Sequence, residues 1–89
     1  MPRLRADKID ANQKEIVDAL RKLEGISVQP GMNDICVGYN GQTYWYEIKT
    51  GPKAYITPAQ HKLLKSWTGH YKIVWTLQMI LADIGYAKA

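Results

Sequence analysis

Helical and strand-like patterning alternate along these 89 residues in the order α-β-β-β-α-β-α, which predicts an α/β protein with a mixed sheet flanked by helices. Three observations carry that expectation. Asn40-Gly41 stands between two runs rich in β-branched and aromatic residues, Asp34 to Tyr39 and Gln42 to Thr50. A type I′ turn needs positive φ at both central residues, so Asn-Gly there is a strong hairpin signal. An amphipathic stretch precedes the hairpin, and a capped helix followed by an apolar run comes after it.

The elements follow in order. Residues 1 to about 9, with Arg3, Arg5 and Lys8, read as a short, mobile basic arm. A helix is expected from about Ala11 to Glu24, with Asp10 and Gln13 as its capping box. Ile16, Leu20 and Leu23 form its apolar stripe, widened by Val17 and Ala19, and Gly25 stops it. Ile26 to Gln29 reads as a short strand, and Pro30-Gly31 turns the chain into the hairpin. Gly51-Pro52 ends the hairpin. Thr57 then caps a helix from Pro58 to about Trp67, with Gln60 in the third position of a capping box. Tyr71 to Trp75 reads as a strand. Thr76 caps a last helix carrying Leu77, Met79, Ile80, Leu81 and Ile84, closed by Gly85.

The hairpin register has a chemical consequence. A two-residue turn pairs Tyr39 with Gln42, and counting back places Asp34 directly opposite Glu47. Parity makes this a non-hydrogen-bonded pair, the closer kind, with Cα atoms ~4.5 Å apart. Facing carboxylates repel. At an effective dielectric near 20, two unit charges ~5 Å apart cost roughly 3 kcal/mol. A bound divalent cation turns that repulsion into a site. Lys49 lies two residues beyond Glu47, so both side chains leave one face of the strand while Ile48 points the other way. Asp34, Glu47 and the Ile48 carbonyl are hard oxygen ligands that suit magnesium or manganese. Such an ion polarises a phosphodiester and lowers the pKa of its bound water, and Lys49 beside it can orient that water or neutralise charge on the phosphate.

Length bounds the chain to one small domain with a modest core. The net charge is +4, and its distribution says more than its total. No acidic residue occurs between Ile48 and Ala82, where Lys49, Lys53, Lys62, Lys65 and Lys72 all fall. That suggests a basic face for a polyanion, with Lys53, Lys62 and Lys65 as candidate phosphate contacts, the alternative being solvated lysines on an ordinary surface. Cys36 is the only cysteine, which leaves no disulfide framework within the chain and fits a reducing cytosolic compartment. It reads as a small buried hydrophobe. No cluster has zinc-ligand spacing, and no apolar run is long enough to span a membrane. His61 and His70 have no acid or nucleophile at useful spacing and read as surface or loop residues. Trp67, Trp75 and the tyrosines read as core and strand-face residues rather than nucleic-acid platforms.

Asn33-Asp34, twelve intervening residues and Glu47-x-Lys49 together resemble the PD-(D/E)XK nuclease superfamily. The nearer resemblance is to the VRR-NUC family, virus-type replication-repair nucleases. Their Gly-x-x-Asp segment, Glu-x-Lys strand and Ser/Thr-x-x-Gln helix start correspond here to Gly31-Met32-Asn33-Asp34, Glu47-Ile48-Lys49 and Thr57-Pro58-Ala59-Gln60. The likeness covers nearly the whole chain. Two departures stand out. Asn33 occupies a position where the family usually has proline. Gln13 stands where the family often has a glutamate that can bind a second ion, and Glu15 is angled toward the helix flank.

The resemblance implies a restriction-endonuclease-like core and a Mg²⁺- or Mn²⁺-dependent endonuclease acting on DNA. Asp34, Glu47 and Ile48 would hold the metal, Lys49 would position the water, and Gln60 would orient Lys49 or contact the phosphate, unless it serves only as a helix cap. Compact standalone members look like Holliday-junction resolvases, which implies branched DNA as partner, a homodimer, and a cytoplasmic setting in a bacterial or phage-infected cell. Two other readings stay open: a non-catalytic DNA-binding module, and a subunit of a larger repair or restriction complex.

Overall fold

A computed structural model describes residues 2–86, with side chains described from residue 12 onward. The element order is α1 (Pro2–Arg21), β1 (Ile26–Pro30), β2 (Asp34–Tyr39), β3 (Gln42–Ile48), α2 (Pro58–Ser66), β4 (Lys72–Val74) and α3 (Leu77–Ile84). The expected α-β-β-β-α-β-α order is therefore present. The four strands form one sheet in the order β1-β2-β3-β4. The first three are antiparallel, and β4 joins β3 in parallel, so the sheet is mixed. A parallel neighbour needs a crossover, and α2 lies within it.

The first helix is longer than its expected span. It begins at Pro2, so from there the segment expected as a mobile arm is helical. The reason is local. After Pro2, a favourable first residue, no glycine or proline interrupts the chain until Gly25, and Ala, Leu, Arg and Lys are strong helix formers. Asp10 is consequently interior to α1, and the expected Asp10–Gln13 capping box is overturned. The helix ends through tightened bonds from Lys22 N–H to Ala19 O and from Leu23 N–H to Leu20 O. Gly25 then takes φ +85°, the left-handed region that reverses the chain.

The hairpin forms as its turn chemistry dictates. Asn40 and Gly41 both have positive φ, 55° and 81°. Alternation along the strands then sorts the two faces of the sheet. Ile35, Val37, Tyr46, Ile48 and Val74 are buried on one face, where Ile16, Val17 and Leu20 of α1 and Ile80, Leu81 and Ile84 of α3 complete the core. The other face carries Asp34, Cys36, Trp45 and Glu47. Its cover is thin. α2 buries no residue fully, and its C-cap Trp67 packs edge-to-face on Trp45 with ring centroids 5.3 Å apart. Cys36 is exposed there, so its expected burial is not found.

A polar clasp ties α3 to the sheet edge. Asp83 Oδ2 accepts from Tyr46 Oη at 2.6 Å and from His70 Nε2 at 2.7 Å, and Lys72 Nζ reaches Asp83 Oδ1 at 3.1 Å. His70 Nδ1 accepts the Trp45 backbone N–H at 3.1 Å, which assigns the proton of the neutral ring to Nε2. Burial works to raise the Asp83 carboxyl, but the bonds from Tyr46, His70 and Lys72 outweigh it and hold the group at about 2. His70 is thus a structural residue of the clasp rather than an idle loop residue.

Candidate active site

Asp34 pairs with Glu47 in the β2–β3 register. The bond from Ile48 N–H to Asn33 O, 2.8 Å, fixes the parity and makes Asp34–Glu47 a non-hydrogen-bonded pair. Both carboxylates sit on the same face of the sheet, and Lys49, just past the end of β3, lies near enough for its charge to act on Glu47.

Each carboxylate is oriented by an aromatic donor. Trp45 Nε1–H donates to Asp34 Oδ2 at 2.8 Å. Tyr71 Oη donates to Glu47 Oε1 at 3.2 Å. The two donors touch each other, with ring centroids 4.6 Å apart, so they form one support beneath both acids. One oxygen of each acid is held in this way, and the second has no hydrogen bond among the described residues.

Glu47 is only 8% exposed. Burial pushes its carboxyl above the usual range and Asp34 pushes the same way, while the Tyr71 hydrogen bond and the Lys49 charge oppose them. The Tyr71 phenol is pushed up to about 12 by burial and by the charge and hydrogen bond of Glu47 beside it. Tyr71 therefore stays a donor throughout the physiological range.

The backbone around the pair is built for close approach. Gly31 N–H bonds to Asp34 O at 2.7 Å, and a side chain on Gly31 would run into Asp34 Oδ1. Only glycine leaves that carboxylate its place. Gln13 Nε2 donates to Gly31 O at 2.9 Å and pins the turn to α1. Gln13 is buried, and its Oε1 has no hydrogen-bond partner among the described residues. Lys49 is anchored through its own backbone: its N–H bonds Val74 O at 2.9 Å and its carbonyl accepts from Asn12 Nδ2 at 2.8 Å. Among the described residues, Asn33 N–H makes no return bond to the Ile48 carbonyl, so the ladder opens beside the acids.

The donor set fits a hard divalent cation. No three His, Cys, Asp or Glu side chains come together around one point among the described residues. What is present is two facing carboxylates and one backbone carbonyl, that of Ile48, without a partner across the β2–β3 ladder. Magnesium suits such a set because it keeps several of its waters and takes only one or two carboxylates.

The other expected site residues fall in two groups. Gln60 forms the capping box: its backbone N–H donates to Thr57 Oγ1 at 3.1 Å, and its Oε1 accepts the Thr57 N–H at 3.0 Å. Among the described residues no hydrogen bond joins it to Lys49. Lys53, Lys62 and Lys65 are all exposed, Lys53 in the loop after β3 and the others on α2. Any contacts of Arg3, Arg5 and Lys8 lie outside the described side chains. Sequence reasoning missed the roles of Trp45, Tyr71 and Asn12. For Trp45 a signal existed, since alternation puts it on the face of Asp34 two residues before Glu47.

Comparison with family models, with curated proteins and with solved structures returns no match. No described helix is long and apolar enough to cross a membrane.

Proposed function

We propose that this protein is a metal-dependent, structure-selective DNA endonuclease with a restriction-endonuclease-like core, resembling the VRR-NUC family. One observation carries the reading. Asp34 and Glu47 oppose each other across a close strand pair, and the Lys49 charge acts on Glu47. A pure DNA binder gains nothing from a carboxylate pair in a phosphate-binding groove.

Asp34 and Glu47 would hold Mg²⁺ or Mn²⁺, with the Ile48 carbonyl as a further ligand. When bound, the ion supplies Lewis-acid polarisation of the phosphodiester and a water of lowered pKa. Trp45 and Tyr71 keep the two acids in fixed orientations, so little reordering accompanies binding. The Lys49 ammonium orients the attacking water and offsets charge that builds on the phosphate. Its backbone bonds to Val74 and Asn12 hold the strand end that presents it. The Gln60 side chain keeps α2 capped, and this reading gives it a positioning part through that helix. Lys53, Lys62 and Lys65 take the flanking phosphates.

The working unit in this reading is a homodimer in the cytoplasm of a bacterial or phage-infected cell. Two active sites at fixed separation suit the cutting of two strands of a branched substrate. The test is incubation of the purified chain with four-way junctions, flaps, forks and linear duplex, with Mg²⁺, with Mn²⁺ and with EDTA. Metal-dependent cleavage that favours branched DNA supports the reading. Absence of cleavage with either metal on every substrate overturns it.

A further inference from the structure

Trp67 is half exposed, at 51%, although it is a large hydrophobe beside the core of the site. It is nonetheless held in place. It caps α2, with its backbone N–H bonded to Leu63 O at 2.9 Å. Its ring packs against Trp45 at an interplanar angle of 80°. At the Nε1 end of the indole the chain passes so close that a Cβ on Gly69 would stand 2.9 Å from Trp67 Nε1. Glycine at that position lets the backbone run against the indole. A fixed aromatic surface is thereby left in water.

Its surroundings narrow what it can take. Trp45, which carries Trp67, also donates to the Asp34 carboxylate, so the exposed ring stands one side chain from the acids. Lys62 and Lys65 are exposed on the helix that Trp67 caps. No acidic residue occurs from Lys49 to Ala82. An exposed aromatic ring capping a helix with exposed lysines, in a segment that carries no acid, matches a polyanion whose repeating units carry π faces. Bases within continuous duplex are stacked on one another and offer only their edges. An unpaired base offers its face.

We propose that Trp67 is a stacking platform for an unpaired nucleobase of a DNA strand that passes the Asp34–Glu47 pair. The inference rests on the nuclease reading for the identity of its ligand, and it names the substrate class: DNA with unpaired nucleotides beside the cut. Base stacking on an aromatic side chain contributes about 1–3 kcal/mol by alanine substitution, which is about 5-fold to 150-fold in affinity.

The test measures binding without divalent metal, so that cleavage plays no part. Unaltered protein is titrated with fluorescent oligothymidine and with an abasic oligonucleotide of the same length and charge. The expected result is affinity for oligothymidine tighter by about fivefold or more. Trp67→Ala should lose that preference, and Trp67→Phe should regain part of it. Trp67 packs on Trp45, so the comparison of two oligonucleotides on unaltered protein stands even where a variant is loosened. Equal affinity of unaltered protein for the two oligonucleotides overturns the proposal. So does a base preference that Trp67→Ala retains in full. Failure of the nuclease reading appears elsewhere, as absence of cleavage with Mg²⁺ or Mn²⁺, and is thereby distinguished.

Discussion

Asp34 lies directly opposite Glu47 at a non-hydrogen-bonded position of the β2–β3 ladder, and Glu47 is the more buried of the two. Without metal, each charge raises the energy of the other. A divalent ion that binds only the folded state should reverse this. At about a hundred times its Kd it stabilises by about 2.7 kcal/mol, enough to raise Tm by roughly 10 °C or more in a chain this small. Thermal melting with and without Mg²⁺ or Mn²⁺ checks it. Glu47→Gln and Asp34→Asn should leave the metal-free Tm unchanged or higher and abolish the response to metal. A large loss of Tm in Asp34→Asn, with no metal response in the parent, would mark the pair as structural.

The raised Glu47 carboxyl has a sign that melting can read. A carboxyl that binds its proton more tightly when folded weakens the fold once ionised. The metal-free parent should therefore lose stability as pH rises from the unfolded value of 4.5 through the raised folded value, on account of Glu47. Subtracting the Glu47→Gln profile isolates this contribution. A difference profile of the opposite slope contradicts the assignment of burial as its cause.

Asp83 behaves in the opposite way. Its folded pKa of about 2 lies below the ordinary 3.8, so it stabilises the fold above that ordinary value and ceases to do so as pH falls toward 2. The whole shift corresponds to roughly 2 kcal/mol, and solvent screening reduces the expected figure to about 1 kcal/mol. Asp83→Asn should lower Tm by several degrees near neutrality and flatten the acid side of the stability profile. Equal loss at pH 7 and pH 2 would show that packing, not charge, makes the clasp.

Much of this fold was legible because local chemistry agreed with it. Asn40-Gly41 set the hairpin, and its register put Asp34 opposite Glu47 without reference to anything distant. The Thr57 and Thr76 caps and the left-handed Gly85 likewise depend on neighbours in sequence. Features that depend on which faces are covered were less legible. Cys36 looked like a core residue, yet its face stays open. The Trp45–Asp34, Tyr71–Glu47 and Asn12–Lys49 bonds, and the His70–Asp83 clasp, join residues far apart in sequence, where periodicity carries no information. The start of the first helix is less legible because its cluster of basic residues resembles an arm, although arginine and lysine have high helix propensity.

The lysines give a salt signature. Binding of DNA without divalent metal should weaken steeply with ionic strength as counterions are released. Neutralising Lys53, Lys62 or Lys65 singly should flatten the log–log slope by about one unit each. Fluorescence anisotropy over a salt series checks this. Affinity independent of salt contradicts a phosphate-binding surface.

The proposed cutting of two strands of a branched substrate pairs two active sites in a homodimer. Light scattering should give twice the 10.1 kDa chain mass at micromolar concentration. Junction-against-duplex competition should favour the junction. A monomer that cuts linear duplex as readily as a four-way junction would defeat the resolvase-like role while leaving the nuclease assignment intact.

The most direct test is cleavage by the parent and by Glu47→Gln, side by side, on a branched DNA substrate with Mn²⁺ or Mg²⁺ and with EDTA. The account predicts cleavage by the parent that stops in EDTA, and a loss on the order of a thousandfold or more in Glu47→Gln with its Tm maintained. Cleavage by Glu47→Gln at the parental rate, or parental cleavage undiminished in EDTA, would contradict it.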